Sequence, residues 1–199
     1  MLPVKGGPGA KSRLGAVVGR SGDLALSMAL DCLESVLAAS SVERAVVVTD
    51  DPLVVAAATE LGAQVLAPGA PGLRTAVADG LAAAPPGPVA VLLADLPSLR
   101  PEDLEEALDA VGRALDGGAG WVFVPDAEGT GTVLLASDGA AGLAPAFGPG
   151  SASAHQGLGA SRLDLDLPRL RRDVDTAATL EQALALGVGS RTRRSLGAT

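Results

Sequence analysis

Short apolar runs alternate along the chain with longer segments in which apolar residues recur every three or four positions. The clearest run, residues 89–94, lies between a proline-rich segment at 85–88 and Pro97. It is too short for a helix and predicts a strand buried on both faces, as in a parallel sheet. Residues 45–49 predict a second buried strand, and residues 63–66 predict a short third one.

The segments between these strands predict helices. Apolar positions four residues apart begin at Leu24 and predict a helix packed by that face. Asp51 fits an N-cap followed by Pro52 at the first helical position, and Ser98 is well placed to cap the helix that begins near Pro101. The predicted helices span residues 23–39, 53–61, 73–83, 101–115 and 177–186. Strands alternating with helices imply right-handed crossovers, so the pattern predicts an α/β fold with a parallel sheet.

Beyond the fourth helix the pattern changes. Residues 120–125 and 131–136 predict two strands joined by a short segment that need not contain a helix. Alternating apolar and polar residues at 161–167 predict a half-exposed strand. Residues 187–199 predict a loosely ordered tail. The whole chain, 1–199, has a length that suits one domain with a substantial core.

Composition and charge narrow the functional classes. Of the 199 residues, 48% are apolar and only 2% aromatic, so the core must consist mainly of Leu, Val and Ala. The net charge of -8 disfavours a general nucleic-acid binder, which needs a basic face. No stretch approaches the ~18 apolar residues of a membrane span. The single Cys32 cannot form an internal disulfide. We therefore expect a cytoplasmic protein without a nucleic-acid or membrane partner.

Asp95 is the strongest candidate for chemistry. It follows the buried strand 89–94 directly, and ligands of open α/β sheets bind beyond the carboxyl ends of the strands. A single carboxylate released there is a candidate metal ligand or catalytic group. The structural alternative is that Asp95 caps the next helix, a role that Ser98 fits better.

The amino-terminal segment is a candidate polyphosphate site. The end of a strand at residues 2–5 leads into a glycine-bearing loop, and Lys5, Lys11 and Arg13 supply three cations within nine residues. Backbone N–H groups and cations can converge on phosphates, although the P-loop pattern is absent. A flexible, solvated loop is an equally good interpretation.

Two later segments also suit an anion. The turn at 129–132 offers small residues, two hydroxyls and backbone amides, and a glycine-rich loop enters a helix at Ser151. Ser151 could instead serve only as a cap. His155 lacks a triad partner or a second metal-ligating side chain and is interpreted as a surface helix residue. Asp175 or Thr176 could cap the last helix, which leaves Asp173, on the same side of an extended segment as Asp175, available for another role.

Taken together, these segments resemble the guanylyltransferases of coenzyme F420 biosynthesis, which activate phosphoenolpyruvate or 2-phospho-L-lactate with GTP. Each motif alone is weak, but their order along nearly the whole chain is specific. The segments that carry the resemblance are residues 3–5 with 10–14, 94–97, 126–132, 147–155 and 173–176. The resemblance implies a three-layer, Rossmann-like nucleotidyltransferase fold of the nucleotide-diphospho-sugar transferase type, with a mixed, mostly parallel sheet.

The same resemblance implies a reaction. The acceptor's phosphate would attack the α-phosphorus of GTP, and pyrophosphate would leave. Asp95 and Asp173 would hold Mg²⁺, with Asp175 as a possible further ligand. Such a transfer depends on a metal and on cations more than on a nucleophile of the protein, because the acceptor is already an anion.

The family likewise implies substrate contacts. Lys5, Lys11 and Arg13 would lie along the triphosphate, the last two as catalytic cations beside Asp95. The phosphorylated acid would be bound by the two anion segments, through Thr130, Thr132, Gly148 and Ser151. Gly72 is a further expected substrate contact. It stands in a Gly72-Leu73-Arg74 segment where family members commonly carry Gly-Leu-Asn, so that a cation replaces an amide.

The acceptor remains open at this stage. Phosphoenolpyruvate is the first hypothesis, 2-phospho-L-lactate the alternative, and 3-phosphoglycerate differs from them only slightly; the shape of the pocket decides among such molecules. A molybdopterin-type cytidylyltransferase is a weaker hypothesis, because its usual glycine-rich amino-terminal loop with Arg is not matched. A non-catalytic nucleotide-binding domain of the same fold is the alternative from a different class.

Overall fold

The computed structural model describes residues 1–4 and 21–197. Its strands are β1 (Leu2–Pro3), β2 (Val46–Val48), β3 (Gln64–Leu66), β4 (Val89–Leu92), β5 (Val122–Pro125), β6 (Thr132–Ser137) and β7 (Ser161–Arg162). Its helices are α1 (Ser21–Ala38), α2 (Pro52–Glu60), α3 (Leu73–Ala82), α4 (Pro101–Asp116), α5 (Ser151–Gly157), α6 (Pro168–Arg171), α7 (Ala177–Leu186) and α8 (Ser190–Ser195). A short 3-10 helix covers Ala140–Gly142.

The strands form a mixed sheet. β1, β2 and β3 are parallel neighbours, while β6 pairs antiparallel with both β4 and β5, and β5 pairs parallel with β7. Met1 connects the two groups, because its N-terminal ammonium group donates to the carbonyl of Ala90 at 2.8 Å and its own carbonyl accepts from the N–H of Leu92 at 3.0 Å. The predicted pairing of the strands around 120–136 without an intervening helix is confirmed.

The sheet is covered on both faces. Along β4, Leu92 packs into a core shared with α1, α2 and α4, whereas Val91 packs into a second core with α3. In β5, Phe123 lies in the second core, whereas its chain neighbours Val122 and Val124 lie in the first. Successive strand residues point to opposite faces, so the helices form one layer on each side of the sheet. The predicted three-layer α/β architecture with a mixed sheet is therefore confirmed. Among the described residues, no helix has both the length and the apolar character to cross a membrane.

The predicted strand over 161–167 is shorter than expected. Only Ser161–Arg162 pairs with β5, and the chain then leaves the sheet and enters α6 at Pro168. Leu163 and Leu165 still pack against the first core. The alternation of apolar and polar residues over 161–167 therefore arises because apolar side chains of an irregular segment at the sheet edge reach the core. Such a segment has the same two-residue period as a strand, so the sequence pattern cannot distinguish the two.

The carboxyl-terminal segment is not the loosely ordered tail expected from sequence. Its described part forms α8, and the buried carboxylate of Asp31 accepts from the backbone N–H groups of Arg191 at 3.0 Å and Thr192 at 2.8 Å. The guanidinium of Arg191 also pairs with Glu34 at 2.7 Å. A distant residue thus satisfies N–H groups that the first turn of a helix leaves unpaired.

Ser98 does not cap α4 as predicted. It is completely buried, and its hydroxyl donates to the carbonyl of Ala183 at 2.9 Å. The N-cap position belongs to Arg100, whose backbone N–H donates to Asp103 at 3.1 Å. The other predicted cap is confirmed, since Asp51 accepts from the first N–H groups of α2.

Candidate active site

The carboxyl ends of β4 and β5 meet at one edge of the sheet. Both strands are antiparallel to β6, so they run in the same direction. Asp95 lies just beyond the end of β4 and is half-buried, and Asp126 follows β5 directly and is buried. Two carboxylates are therefore delivered to the place where open α/β sheets bind ligands.

Asp173 joins this edge from a distant part of the chain. The backbone N–H of Val174 donates to the carbonyl of Asp95 at 3.0 Å, and the side chain of Val174 is fully buried. The N–H of Gly189 donates to the carbonyl of Pro97 at 2.8 Å, which ties the following chain to the same loop. The backbone next to Asp173 is thus hydrogen-bonded to Asp95, and the shared metal site at these two carboxylates stays a prediction.

Three carboxylates form an acidic cluster: Asp126, Glu128 and Asp173, whose nearest oxygens lie within 4.8 Å of one another. Asp126 also accepts from the N–H groups of Thr130 at 2.8 Å and Gly131 at 2.7 Å. Carboxylate oxygens are the ligands that hard divalent cations such as Mg²⁺ prefer, so the donor set fits such an ion. Sequence reasoning gave Asp126 and Glu128 no role, although Asp126 follows its strand as Asp95 does.

Arginines hold this cluster in place. The guanidinium of Arg171 donates to the carbonyl of Asp126 at 2.9 Å and to that of Leu165 at 3.1 Å, and the N–H of Ala127 donates back to the carbonyl of Arg171 at 2.8 Å. Arg172 pairs with Glu128 at 2.5 Å. The turn after β5 is therefore attached to the segment that carries Asp173.

His155 is not the surface residue expected from sequence. Its side chain is fully buried, with Nδ1 2.9 Å from the hydroxyl of Thr132 and Nε2 accepting from the N–H of Ala146 at 2.9 Å. Burial holds the pKa of His155 below its ordinary value. The ring contacts Trp121, Phe123 and Phe147, which are all the aromatic residues of the chain. These partners lie far from His155 in sequence or across a loop, which explains why local pattern missed them.

The two predicted acceptor segments are neighbours. The N–H of Ala152 in α5 donates to the carbonyl of Thr130 at 3.1 Å. Gly148 is exposed and has φ 139°, a conformation that favours glycine, and Ser151 is buried at the start of α5. Thr132 is also buried. The structure therefore brings together the turn after β5 and the loop before α5.

The remaining predicted residues are placed differently. Gly72 is exposed at the N-cap of α3, with φ 121°, in the half of the sheet formed by β1–β3. Asp175 is exposed, and its N–H donates to the hydroxyl of Thr179 at 3.0 Å. Thr176 caps α7, which confirms one of the two predicted caps. Lys5, Lys11 and Arg13 lie outside the described residues.

Cys32 lies close to Asp95 but has a structural role. Its buried thiol donates to the carbonyl of Leu93 at 3.7 Å. Burial raises the pKa of this thiol, and the negative charge of Asp95 raises it further. A thiol held in its neutral form is a poor nucleophile.

Comparison with known proteins agrees with this geometry. Residues 25–164 match the MobA-like NTP transferase domain. A phosphoenolpyruvate guanylyltransferase from Salinispora arenicola is 47% identical over 196 residues, covering 96% of this chain and 90% of the relative. One from Streptomyces scabiei is 45% identical over 208 residues, with 96% and 92% covered. A solved nucleotidyl transferase from Methanothermobacter thermautotroptrophicus aligns with a TM-score of 0.67 at 16% identity, over 93% of this chain and 95% of that one. The chain therefore belongs to the phosphoenolpyruvate guanylyltransferase family, within the MobA-like NTP transferases.

Proposed function

We propose that this protein is a phosphoenolpyruvate guanylyltransferase of coenzyme F420 biosynthesis. It transfers the GMP group of GTP to the phosphate of phosphoenolpyruvate and releases pyrophosphate. The observation that supports the proposal is the hydrogen bond between Val174 and Asp95, which brings the backbone next to Asp173 to the residue that follows β4. GTP and phosphoenolpyruvate are cytoplasmic metabolites, so we place the reaction in the cytoplasm.

Asp95 and Asp173 hold Mg²⁺ in this proposal, and Asp175 supplies a further contact. When bound, the ion neutralises charge on the reacting phosphates and so lowers the repulsion between two anions. Asp126 and Glu128 add negative charge on the Asp173 side of the site. Arg171 and Arg172 balance part of that charge and keep the carboxylates in place.

The acceptor binds between the turn after β5 and the loop before α5. The hydroxyls of Thr132 and Ser151 and the N–H of Gly148 contact the phosphorylated acid, with Thr130 at the margin. Their support is the hydrogen bond between Ala152 and Thr130, which holds the two segments together. A protein nucleophile is unnecessary, because the acceptor phosphate is itself the attacking group.

The triphosphate lies along the amino-terminal segment in this proposal. Lys5, Lys11 and Arg13 would stabilise the charge that develops on the α-phosphate and on the departing pyrophosphate. Gly72 lets the chain approach the nucleotide closely, because glycine has no side chain and readily adopts the φ of 121° found at the N-cap of α3.

Phosphoenolpyruvate is favoured over 2-phospho-L-lactate because the relatives that match most of the chain carry that name. The direct test measures pyrophosphate release with each of the four nucleoside triphosphates and each of the three acceptors, phosphoenolpyruvate, 2-phospho-L-lactate and 3-phosphoglycerate. We expect the highest kcat/KM with GTP and phosphoenolpyruvate in the presence of Mg²⁺. The proposal is wrong if no combination releases pyrophosphate.

A further inference from the structure

His155 connects the two sides of the acceptor site. One ring nitrogen meets Thr132 at the start of β6, and the other meets the N–H of Ala146, immediately before the loop that contains Gly148. The ring is fully buried, and Phe147 contacts it edge-on with 5.2 Å between ring centres. The side chain of His155 therefore fixes the hydroxyl of Thr132 on one side of the site. It also fixes the start of the loop that forms the other side.

The partners determine where the imidazole proton lies. A backbone N–H can only donate, so Nε2, which faces Ala146, must be the unprotonated acceptor. In the neutral ring the proton then lies on Nδ1, 2.9 Å from Oγ1 of Thr132. The hydroxyl of Thr132 must accept from this group, and its own proton is directed elsewhere.

We propose that His155 is a positioning residue that makes Thr132 a hydrogen-bond donor toward the anionic acceptor and holds the 146–150 loop at the matching position. The inference rests on the proposed function, in which Thr132 contacts the phosphorylated acid. Without the imidazole proton, the threonine hydroxyl could rotate and present a lone pair to an anion. A fixed donor binds an oxyanion without having to reorganise.

The surroundings of His155 keep the ring neutral and fixed. Trp121 and Phe147 contact it edge-on, and Phe123 is tilted against it. Aromatic packing of this kind excludes water, and burial lowers the pKa of the imidazole. Because a protonated ring would confront the N–H of Ala146 with a second donor, the neutral tautomer is the form that the fold accommodates.

The tautomer can be measured directly, because the chain contains a single histidine. Long-range ¹H–¹⁵N correlation spectra of the untagged, ligand-free protein assign the two ring nitrogens without ambiguity. We expect a protonated Nδ1 and an unprotonated Nε2 at neutral pH. A proton on Nε2, or a charged ring at that pH, would overturn the proposal whether or not the protein is an active guanylyltransferase.

Kinetics test the link to the acceptor. Removing a hydrogen bond to a charged group weakens binding by about 10- to 100-fold. We therefore expect His155→Phe to raise the KM for phosphoenolpyruvate by about that factor, with the KM for GTP changed by less than about twofold. His155→Asn keeps an N–H near the position of Nδ1 and should restore part of the loss. Gln156→Ala, an exposed neighbour on α5, is the matched control and should leave both constants unchanged.

A double-mutant cycle separates positioning from general disruption. If His155 acts partly through Thr132, adding His155→Phe to Thr132→Val should raise the acceptor KM by a smaller factor than His155→Phe does in the parent protein, and the remainder reports the loss of the contact with the 146–150 loop. Thermal unfolding of each variant identifies any that fail to fold, and for such a variant the NMR result decides. A folded His155→Phe variant with parental acceptor KM, or fully additive effects in the cycle, would refute the proposal. Absence of pyrophosphate release by the parent protein with every acceptor would instead refute the proposed function.

Discussion

The backbone N–H of Val174 donates to the carbonyl of Asp95 at 3.0 Å. This bond joins the backbone next to Asp173 to that of the residue that follows the fourth strand. The side chain of Val174 is fully buried with residues of α1 and α7, so the bond is supported by the packing of those helices. The approach of the backbone at Val174 to Asp95 is therefore a product of the fold and does not depend on one flexible loop.

Gly131 is the first target for mutation. A Cβ at this position would overlap Oδ2 of Asp126, whose carboxylate accepts the N–H of Gly131. We expect Gly131→Ala to lower the free energy of unfolding by about 1–3 kcal/mol, as overpacking does, and to reduce kcat/KM because the acidic cluster shifts. Chemical denaturation and pyrophosphate release measure the two effects.

Gly112 provides the matched control. It lies within α4, and a Cβ there would meet nothing within 4 Å. Gly112→Ala should raise the free energy of unfolding by about 0.5–1 kcal/mol, because alanine favours the helix, without altering activity. Equal effects of the two substitutions would show that the turn after β5 has no special connection to the site.

Removal of residues 190–199 tests the role of α8. The truncation exposes the buried carboxylate of Asp31, which accepts two backbone N–H groups of α8. We expect a loss of about 2 kcal/mol or more in the free energy of unfolding, since two hydrogen bonds to a charged group are removed. A loosely ordered tail would instead be removable without a change in thermal unfolding.

The pH dependence of stability tests the neutral state of His155. Burial lowers the pKa of this imidazole from its ordinary value of 6.5, so as pH falls the unfolded chain takes up the proton before the folded protein does. Its contribution to stability is fully present above about pH 6.5 and is lost as pH falls through the lowered pKa. The ring contacts and hydrogen bonds of His155 within the described residues involve aromatic rings, Thr132 and Ala146, none of which titrates in that range.

Comparing the pH dependence of stability in the parent protein and in a His155 variant separates the contribution of His155 from the titration of carboxylates. The free energy of unfolding should decrease between about pH 6.5 and 5 in the parent protein, and His155→Asn should flatten that slope. Denaturation curves at a series of pH values provide the measurement. Identical slopes in the two proteins would mean that the folded state tolerates the imidazolium form.

Local pattern sufficed for most of the fold. The spacing of apolar residues predicts α7 with the bounds Ala177–Leu186 that the structure has, and it predicts each core strand within a few residues. These elements depend on the spacing of apolar residues and on caps such as Asp51, and both are determined by residues close together in sequence. Asp95 could also be found locally, because a carboxylate that ends an apolar strand is conspicuous.

The features that local pattern missed depend on distant partners. Ser98 resembles a cap in sequence, but its hydroxyl binds the carbonyl of Ala183. His155 lies on a helix whose other members are largely polar or small, and only the fold surrounds it with aromatic rings. In sequence Asp31 is an ordinary residue of α1, although its carboxylate accepts from N–H groups in the first turn of α8. The prediction that Asp95 and Asp173 share a metal ion came from the family resemblance, because no local pattern relates residues so far apart in sequence.

The most direct test of the account is the Mg²⁺ dependence of pyrophosphate release from GTP and phosphoenolpyruvate. It should be measured for the parent protein, Asp95→Asn, Asp173→Asn and the double variant, with exposed Asp138→Asn as control. If both carboxylates hold one ion, each single variant should need about tenfold or more Mg²⁺ for half-maximal rate, and the double variant should be less than additive. An unchanged Mg²⁺ requirement in either single variant, with the protein folded, would contradict the shared metal site.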